Sequence, residues 1–152
     1  MYQRILVPMD GSHTAHQALQ EAVKLARCLS AQLRLLYVVD ELSFIDPDSY
    51  VNIVELRDIH QQAGERVLAA GYELAQQAGV SVETHLLETL TDSIENTIDA
   101  EAVRWGADLM ILGTHGRSGL NRLLFGSVAE NVVRHSPVPV LLVRSKDETQ
   151  NS

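Results

Sequence analysis

Gly113-Thr114-His115-Gly116, then nine intervening residues, then Gly126-Ser127, is the stretch whose residue types and spacing point most directly to chemistry. The apolar run Leu109-Met110-Ile111-Leu112 leads into it, and a helix-like run, Val128-Ala129-Glu130-Asn131-Val132-Val133, follows. A loop that leaves a strand through glycines brings bare backbone N–H groups close to an anion, because no Cβ stands in the way. A Gly-Ser pair at the start of a helix adds the positive end of the helix dipole and a hydroxyl. Together these make a cradle for a polyphosphate.

Asp10-Gly11-Ser12 is the second candidate. A turn followed by a helix cap accounts for all three residues. A carboxylate at a strand's end can also bond the polar edge of a nucleotide or hold a divalent ion. Other chemistries lack their patterns. There is no Walker A sequence, no Gly-x-Gly-x-x-Gly fingerprint and no Gly-x-Ser-x-Gly elbow. The six histidines show no zinc spacing, and His13 and His16 are expected on an exposed helix surface.

Both candidates need strands to carry them. Arg4 to Met9 is a short apolar run suited to a buried strand. After Ser12, apolar residues recur at helical spacing from Ala15 to Leu29, and Gln32 to Val39 reads as a second strand. Residues 40–52 are mixed and irregular. A long helix is expected from about Val54 to Gln77, stopped by Gly79, then a strand from Val80 to Leu87. A helix capped by Asp92 is expected through Trp105, then a strand from Ala107 to Leu112. A short helix from Ser127 to His135 and a strand from Val138 to Val143 complete the order.

This β-α alternation predicts an α/β fold: one open, five-stranded parallel sheet, Rossmann-like, with helices on both faces. Ligands in such sheets bind beyond the carboxyl ends of the strands, where strand order reverses. Asp10 and the Gly113 loop both fall at carboxyl ends, so neighbouring first and fourth strands would make them face one crevice. One domain over residues 1–145 and a polar tail over 146–152 are expected.

Composition narrows the function. A formal net charge of −8 argues against a nucleic-acid groove, which needs a basic face. An anionic ligand must then be held locally, by backbone N–H groups, a metal or the loop's Arg117 and Arg122. No apolar run approaches the roughly 18–20 residues of a membrane span, and the first residues enter a strand without a signal-peptide core. The single Cys28 fits a reducing cytoplasm and is expected to be packed inside.

With Gly113, Gly116, Gly126 and Ser127 at Gly-x-x-Gly-x9-Gly-Ser spacing, the chain resembles the ATP-binding branch of the universal stress protein family. The opening Ile5-Leu6-Val7-Pro8-Met9-Asp10-Gly11-Ser12 and the ending Ser136 to Val143 strengthen the resemblance, which spans roughly residues 2–144. It implies strand order 3-2-1-4-5, with the first and fourth strands adjacent. It implies Pro8 and Asp10 at the adenosine end, the Val38 backbone against adenine, and Gly113 at the ribose. Gly116, Gly126 and Ser127 would form the phosphate cradle, with Val128 adjoining, and Mg²⁺ would sit at Asp10. It also implies a cytoplasmic homodimer joined through the last strand, acting as a nucleotide-dependent sensor or regulator in stress response. Alternatives are a slow ATPase or phosphotransferase using Asp10-bound Mg²⁺ and His115 or Arg117, a cyclic AMP binder, and a dimerisation scaffold without nucleotide. Two residues depart from the family pattern. Glu88 stands where many ATP-binding members carry Gly, and its carboxylate would repel a triphosphate unless metal-bridged or turned away. Ala129 replaces a Thr or Ser of some members.

Overall fold

The computed structural model describes residues 1–41, 52–114 and 127–144. Among the described residues, five strands and four helices alternate: β1 (Arg4–Met9), α1 (His13–Leu29), β2 (Gln32–Asp40), α2 (Ile53–Gln77), β3 (Ser81–Thr89), α3 (Ile94–Trp105), β4 (Leu109–Gly113), α4 (Ser127–His135) and β5 (Val140–Val143). All strand pairings are parallel, in the order β3-β2-β1-β4-β5. β1 lies between β2 and β4, with Ile5 opposite both Leu33 and Leu109. The chain therefore leaves β1 toward one edge and returns beside it as β4. That reversal separates the loops after β1 and β4 and opens a crevice at their carboxyl ends.

Alternation along the strands sorts the core into two layers. Ile5, Val7, Leu33, Leu35 and Ile111 face α1 and α2. Leu6, Leu36, Met110 and Leu112 face α3 and α4. Ile5, Leu6 and Val7 are wholly buried, as a central strand covered on both faces requires.

Each helix start and stop has a local cause. Ser12 caps α1, its Oγ accepting the Ala15 N–H at 3.1 Å, and the left-handed Ser30 ends it. Ser93, not Asp92, caps α3: its Oγ accepts from Asn96 at 3.1 Å, while the Asp92 N–H is taken by Thr89 Oγ1 at 3.0 Å. Gly106 (φ 78°) closes α3 through its N–H to the Ala102 carbonyl. Cys28 corrects the expectation of a packed thiol. The buried stripe of α1 ends at Ala26, and two further residues turn Cys28 to the exposed side.

At the amino ends of the strands, away from the crevice, α3 is fastened to the sheet by charge. The wholly buried Glu101 receives Arg34 Nη1 at 2.5 Å on Oε1 and Arg104 Nη1 at 2.8 Å on Oε2. Arg34 also binds Glu83 at 2.9 Å and stacks on the Trp105 ring, 4.8 Å from its centroid. Satisfied on both oxygens, the buried carboxylate is compatible with an otherwise apolar layer.

Candidate functional site

A cleft of about 330 Å³ opens at the carboxyl ends of β1, β2 and β4. Pro8, Met9 and Asp10 form one side as β1 ends, and the run from Leu36 to Asp40 of β2 continues it. Leu112 and Gly113 bring in β4. The amino-terminal parts of three helices border it: Thr14 and Ala15 of α1, Ile94 and Ile98 of α3, and Val128 and Ala129 of α4. His60 of α2 also borders it. Parallel topology dictates this convergence, since each helix after a strand begins at that strand's carboxyl end. The amino ends of these helices bring partial positive charge toward the cleft, against the carboxylates of Asp10 and Asp40 that also border it. The first turn of α1 carries no acidic residue, whereas those of α3 and α4 carry Glu95 and Glu130.

The Asp10-Gly11-Ser12 turn is drawn tight by its own groups. Asp10 Oδ1 accepts the Ser12 N–H at 2.8 Å, and Gly11 adopts φ 82°. Ser12 Oγ then caps α1 and lies 3.1 Å from Thr14 Oγ1. The turn fixes Asp10 at the lip of the cleft using one of its two carboxylate oxygens. Asp10 also acts on its neighbour: burial first, then the Asp10 charge, pushes the Tyr37 phenol above its usual range.

Both apolar and polar groups line the cleft. Leu36, Val38, Ile94, Ile98, Leu112 and Val128 give an apolar wall suited to a flat ring. Asp10, Ser12, Thr14, Asp40 and His60 supply hydrogen-bonding groups.

Of the residues singled out in the sequence, Pro8, Asp10, Val38, Gly113 and Val128 border this one cleft. Ser127 opens α4 directly beside it. Gly116, Gly126, His115, Arg117 and Arg122 lie outside the described residues. Glu88 is turned away. On β3 it pairs in register with Val39 of β2, does not border the cleft, and associates with Glu41 and Arg57. Desolvation, then the hydrogen bond and charge of Glu41, push its carboxyl above the usual range against the opposing pull of Arg57. Glu41 is itself held by Arg57 Nε at 2.9 Å.

Sequence reasoning missed the contributions of Ile94, Ile98 and His60 to the cleft. The two isoleucines carried only a helical periodicity, indistinguishable from core. His60 falls on the same α2 face as Gly64, four residues on, and that spacing is the signal that could have found it.

Fold and cleft together define an open, doubly wound α/β protein with a ligand crevice at its topological switch point. The model of the Universal stress protein family matches residues 1–144, and the chain belongs to that family. It is similar to a universal stress protein of Methanocaldococcus jannaschii, with 32% identity over 144 residues, 95% of this chain and 83% of the relative. A crystal structure from the family in Burkholderia pseudomallei superposes with a TM-score of 0.80 at 32% identity, covering 95% of this chain and 97% of the other. A family protein of Arabidopsis thaliana, solved with AMP bound, shares the fold at a TM-score of 0.70 and 19% identity, covering 99% of this chain and 97% of that one.

Proposed function

We propose that this chain binds ATP with Mg²⁺ in the crevice and acts as a nucleotide-dependent regulator, as a cytoplasmic homodimer. The observation that carries the reading is the convergence of three helix N-termini and Asp10 on a cleft with an apolar wall. A purine needs the wall, a ribose needs hydrogen-bonding groups, and phosphates need unpaired N–H groups. The cleft volume of about 330 Å³ lies at the low end of small-ligand sites, roughly 300–1,000 Å³.

In this reading Pro8, Asp10 and the Val38 backbone hold the adenosine end and Gly113 meets the ribose. Gly116, Gly126 and Ser127 hold the phosphates beside Val128. Among the described residues, no three His, Cys, Asp or Glu side chains converge as a metal cage. Mg²⁺ usually takes one or two carboxylates and completes its shell with phosphate oxygens and water. Asp10 is the carboxylate available at the lip. Bound Mg²⁺ would neutralise part of the phosphate charge.

The dimer reading rests on β5. It pairs with β4 along one side, and Leu141 and Leu142 are 43% and 42% exposed. Apolar side chains on an edge strand call for a cover, and a two-fold axis lets the strand cover itself. The cytoplasmic assignment rests on the lone Cys28. Among the described residues, no helix is long and apolar enough to cross a membrane.

Gentle purification followed by mass spectrometry of the released ligand tests the reading. ATP or another adenine nucleotide at near-stoichiometric amounts is expected. A different ligand class released from the cleft would overturn it.

A further inference from the structure

α4 is short and lightly held by the sheet. Of its nine residues Val132 is the buried one, and Val128 packs part-buried on the same Leu6 layer. A helix of this length is not stable by itself, and two valines on one stripe fix its roll and slide only weakly. α3 supplies the lateral hold. Asn131 Nδ2 donates to Glu95 Oε1 across the two helices at 3.2 Å, in a part-buried setting. One turn further along both helices, Asp99 meets His135. Burial raises the Asp99 carboxyl above its usual range, the His135 charge opposes that rise, and Glu95 adds to it. The matched pairs at 95 and 131, and at 99 and 135, set α4 beside α3 in one register.

Glu95 itself stands on a fixed platform. Thr89, at the end of β3, donates its hydroxyl to the Asp92 carbonyl and accepts the Asp92 N–H, both at 3.0 Å, which ties the start of α3 to the sheet. Ile94 and Ile98, on either side of Glu95 in α3, border the cleft. On α4, Ser127 comes four residues before Asn131 and so lies on the same side of the helix. A turn rises about 5.4 Å, so the anchor at Asn131 holds the turn next to the amino end. Val128 and Ala129, between the two, border the cleft. The Glu95–Asn131 bond thus fixes where the first turn of α4 stands relative to the cleft.

We propose that Asn131 is a positioning residue for phosphate: anchored by Glu95, it holds the amino end of α4 where the backbone N–H groups and the Ser127 hydroxyl meet the phosphates of the bound nucleotide. The proposal rests on the nucleotide reading above. Neither Asn131 nor Glu95 borders the cleft, so both act through the placement of α4. Donors aimed at an anion weaken when they are displaced or misaligned by a small amount, so a loosened α4 gives up phosphate contacts first. The adenosine end, held in that reading by β1, β2 and β4, does not depend on the bond.

The test is a double-mutant cycle read by calorimetric titration. Wild type, Asn131→Ala, Glu95→Ala and the double variant are each titrated with ATP in Mg²⁺ and with adenosine. Asn131→Ala changes no charge. It is expected to weaken ATP by about fivefold and to leave adenosine within about twofold of wild type. Made in the Glu95→Ala background, the same substitution is expected to change ATP affinity by less than about twofold, because its partner is already gone. Val128, Val132 and the Asp99–His135 pair remain in every variant, and thermal melting checks the fold. An equal loss for ATP and adenosine would mark a general structural role and overturn the proposal. So would an ATP affinity unchanged by Asn131→Ala, or lowered equally in both backgrounds, and each of these leaves the nucleotide reading standing. A wild type that binds no ATP would overturn both.

Discussion

Gly113 at the end of β4 and Thr14 in the first turn of α1 are in contact through backbone alone. A Cβ on Gly113 would overlap the Thr14 carbonyl group and stand 2.9 Å from the Ala15 nitrogen. The glycine thus brings the amino end of α1 against the end of β4 and holds the two sides of the cleft at one spacing. Its place in the motif therefore has a packing cause of its own.

Gly113→Ala is therefore expected to destabilise the fold, because the methyl meets backbone that cannot rotate away. Overpacking of this kind costs typically about 1–3 kcal/mol. Urea denaturation should show a lower midpoint with an unchanged slope. A midpoint equal to wild type would mean that α1 and β4 are further apart than described.

Gly116→Val should behave in the opposite way. On the proposed assignment of Gly116 to the phosphate cradle, the side chain would obstruct the ligand and not the fold. A loss of at least about 1.4 kcal/mol in ATP binding, tenfold in affinity, is expected, with thermal stability unchanged. Ser127→Ala removes a single hydroxyl and should cost less, about 0.5–1.5 kcal/mol. Equal affinity in folded Gly116→Val would remove the glycine loop from the site.

Strand and helix positions were legible in the sequence, because β-α alternation and the stop signals Gly79 and Gly106 are local, whereas the strand order, and with it the crevice, followed from the family resemblance. Asp10 and Gly113 were legible as residues at strand ends, whereas Val38 and Val128 came from the family resemblance; all four border the cleft. His60 and the orientation of Glu88 were not legible. Both depend on how α2 sits over the sheet, which is decided by side chains distant in sequence, Tyr37 against Gly64 and Arg57 against Glu41. The exposure of Cys28 was missed because an apolar helical pattern runs past the last residue that the sheet covers.

Glu88 gives a pH prediction. Its carboxyl is raised in the folded state, so the fold binds that proton more tightly than the unfolded chain does. The like-charge penalty with Glu41 is therefore fully present above the raised value and relieved as pH falls through it. Glu88→Gln should be slightly more stable than wild type at pH 7–8, by less than about 0.5 kcal/mol because the site is exposed and screened. The difference should vanish in acid. Melting curves from pH 4 to 8 are the check, and a destabilised mutant at pH 8 would contradict the Glu41 contact.

Glu101 should behave as a buried charge with partners. Glu101→Gln leaves Arg34 and Arg104 without their shared carboxylate, although Arg34 keeps Glu83. A loss of about 2–4 kcal/mol is expected, between the value of charged hydrogen bonds and that of a broken buried pair. Nucleotide affinity should be unaffected, since the network lies at the far end of the sheet. Denaturation together with titration separates the two effects.

Leu142→Asp and Val140→Lys distinguish interface from core at β5. Leu142 is exposed, whereas Val140 is partly buried and packs on the Leu6 layer. Light scattering and circular dichroism should find Leu142→Asp a folded monomer and Val140→Lys destabilised. A wild type that is monomeric at micromolar concentration would refute the β5 dimer.

Titration of the purified wild-type protein with ATP in Mg²⁺, compared with GTP under the same conditions, tests the central claim most directly. Saturable binding of one ATP per chain is expected, with GTP weaker by at least about tenfold, 1.4 kcal/mol. No heat with ATP, or ATP and GTP bound equally, would contradict the assignment of the cleft to an adenine nucleotide.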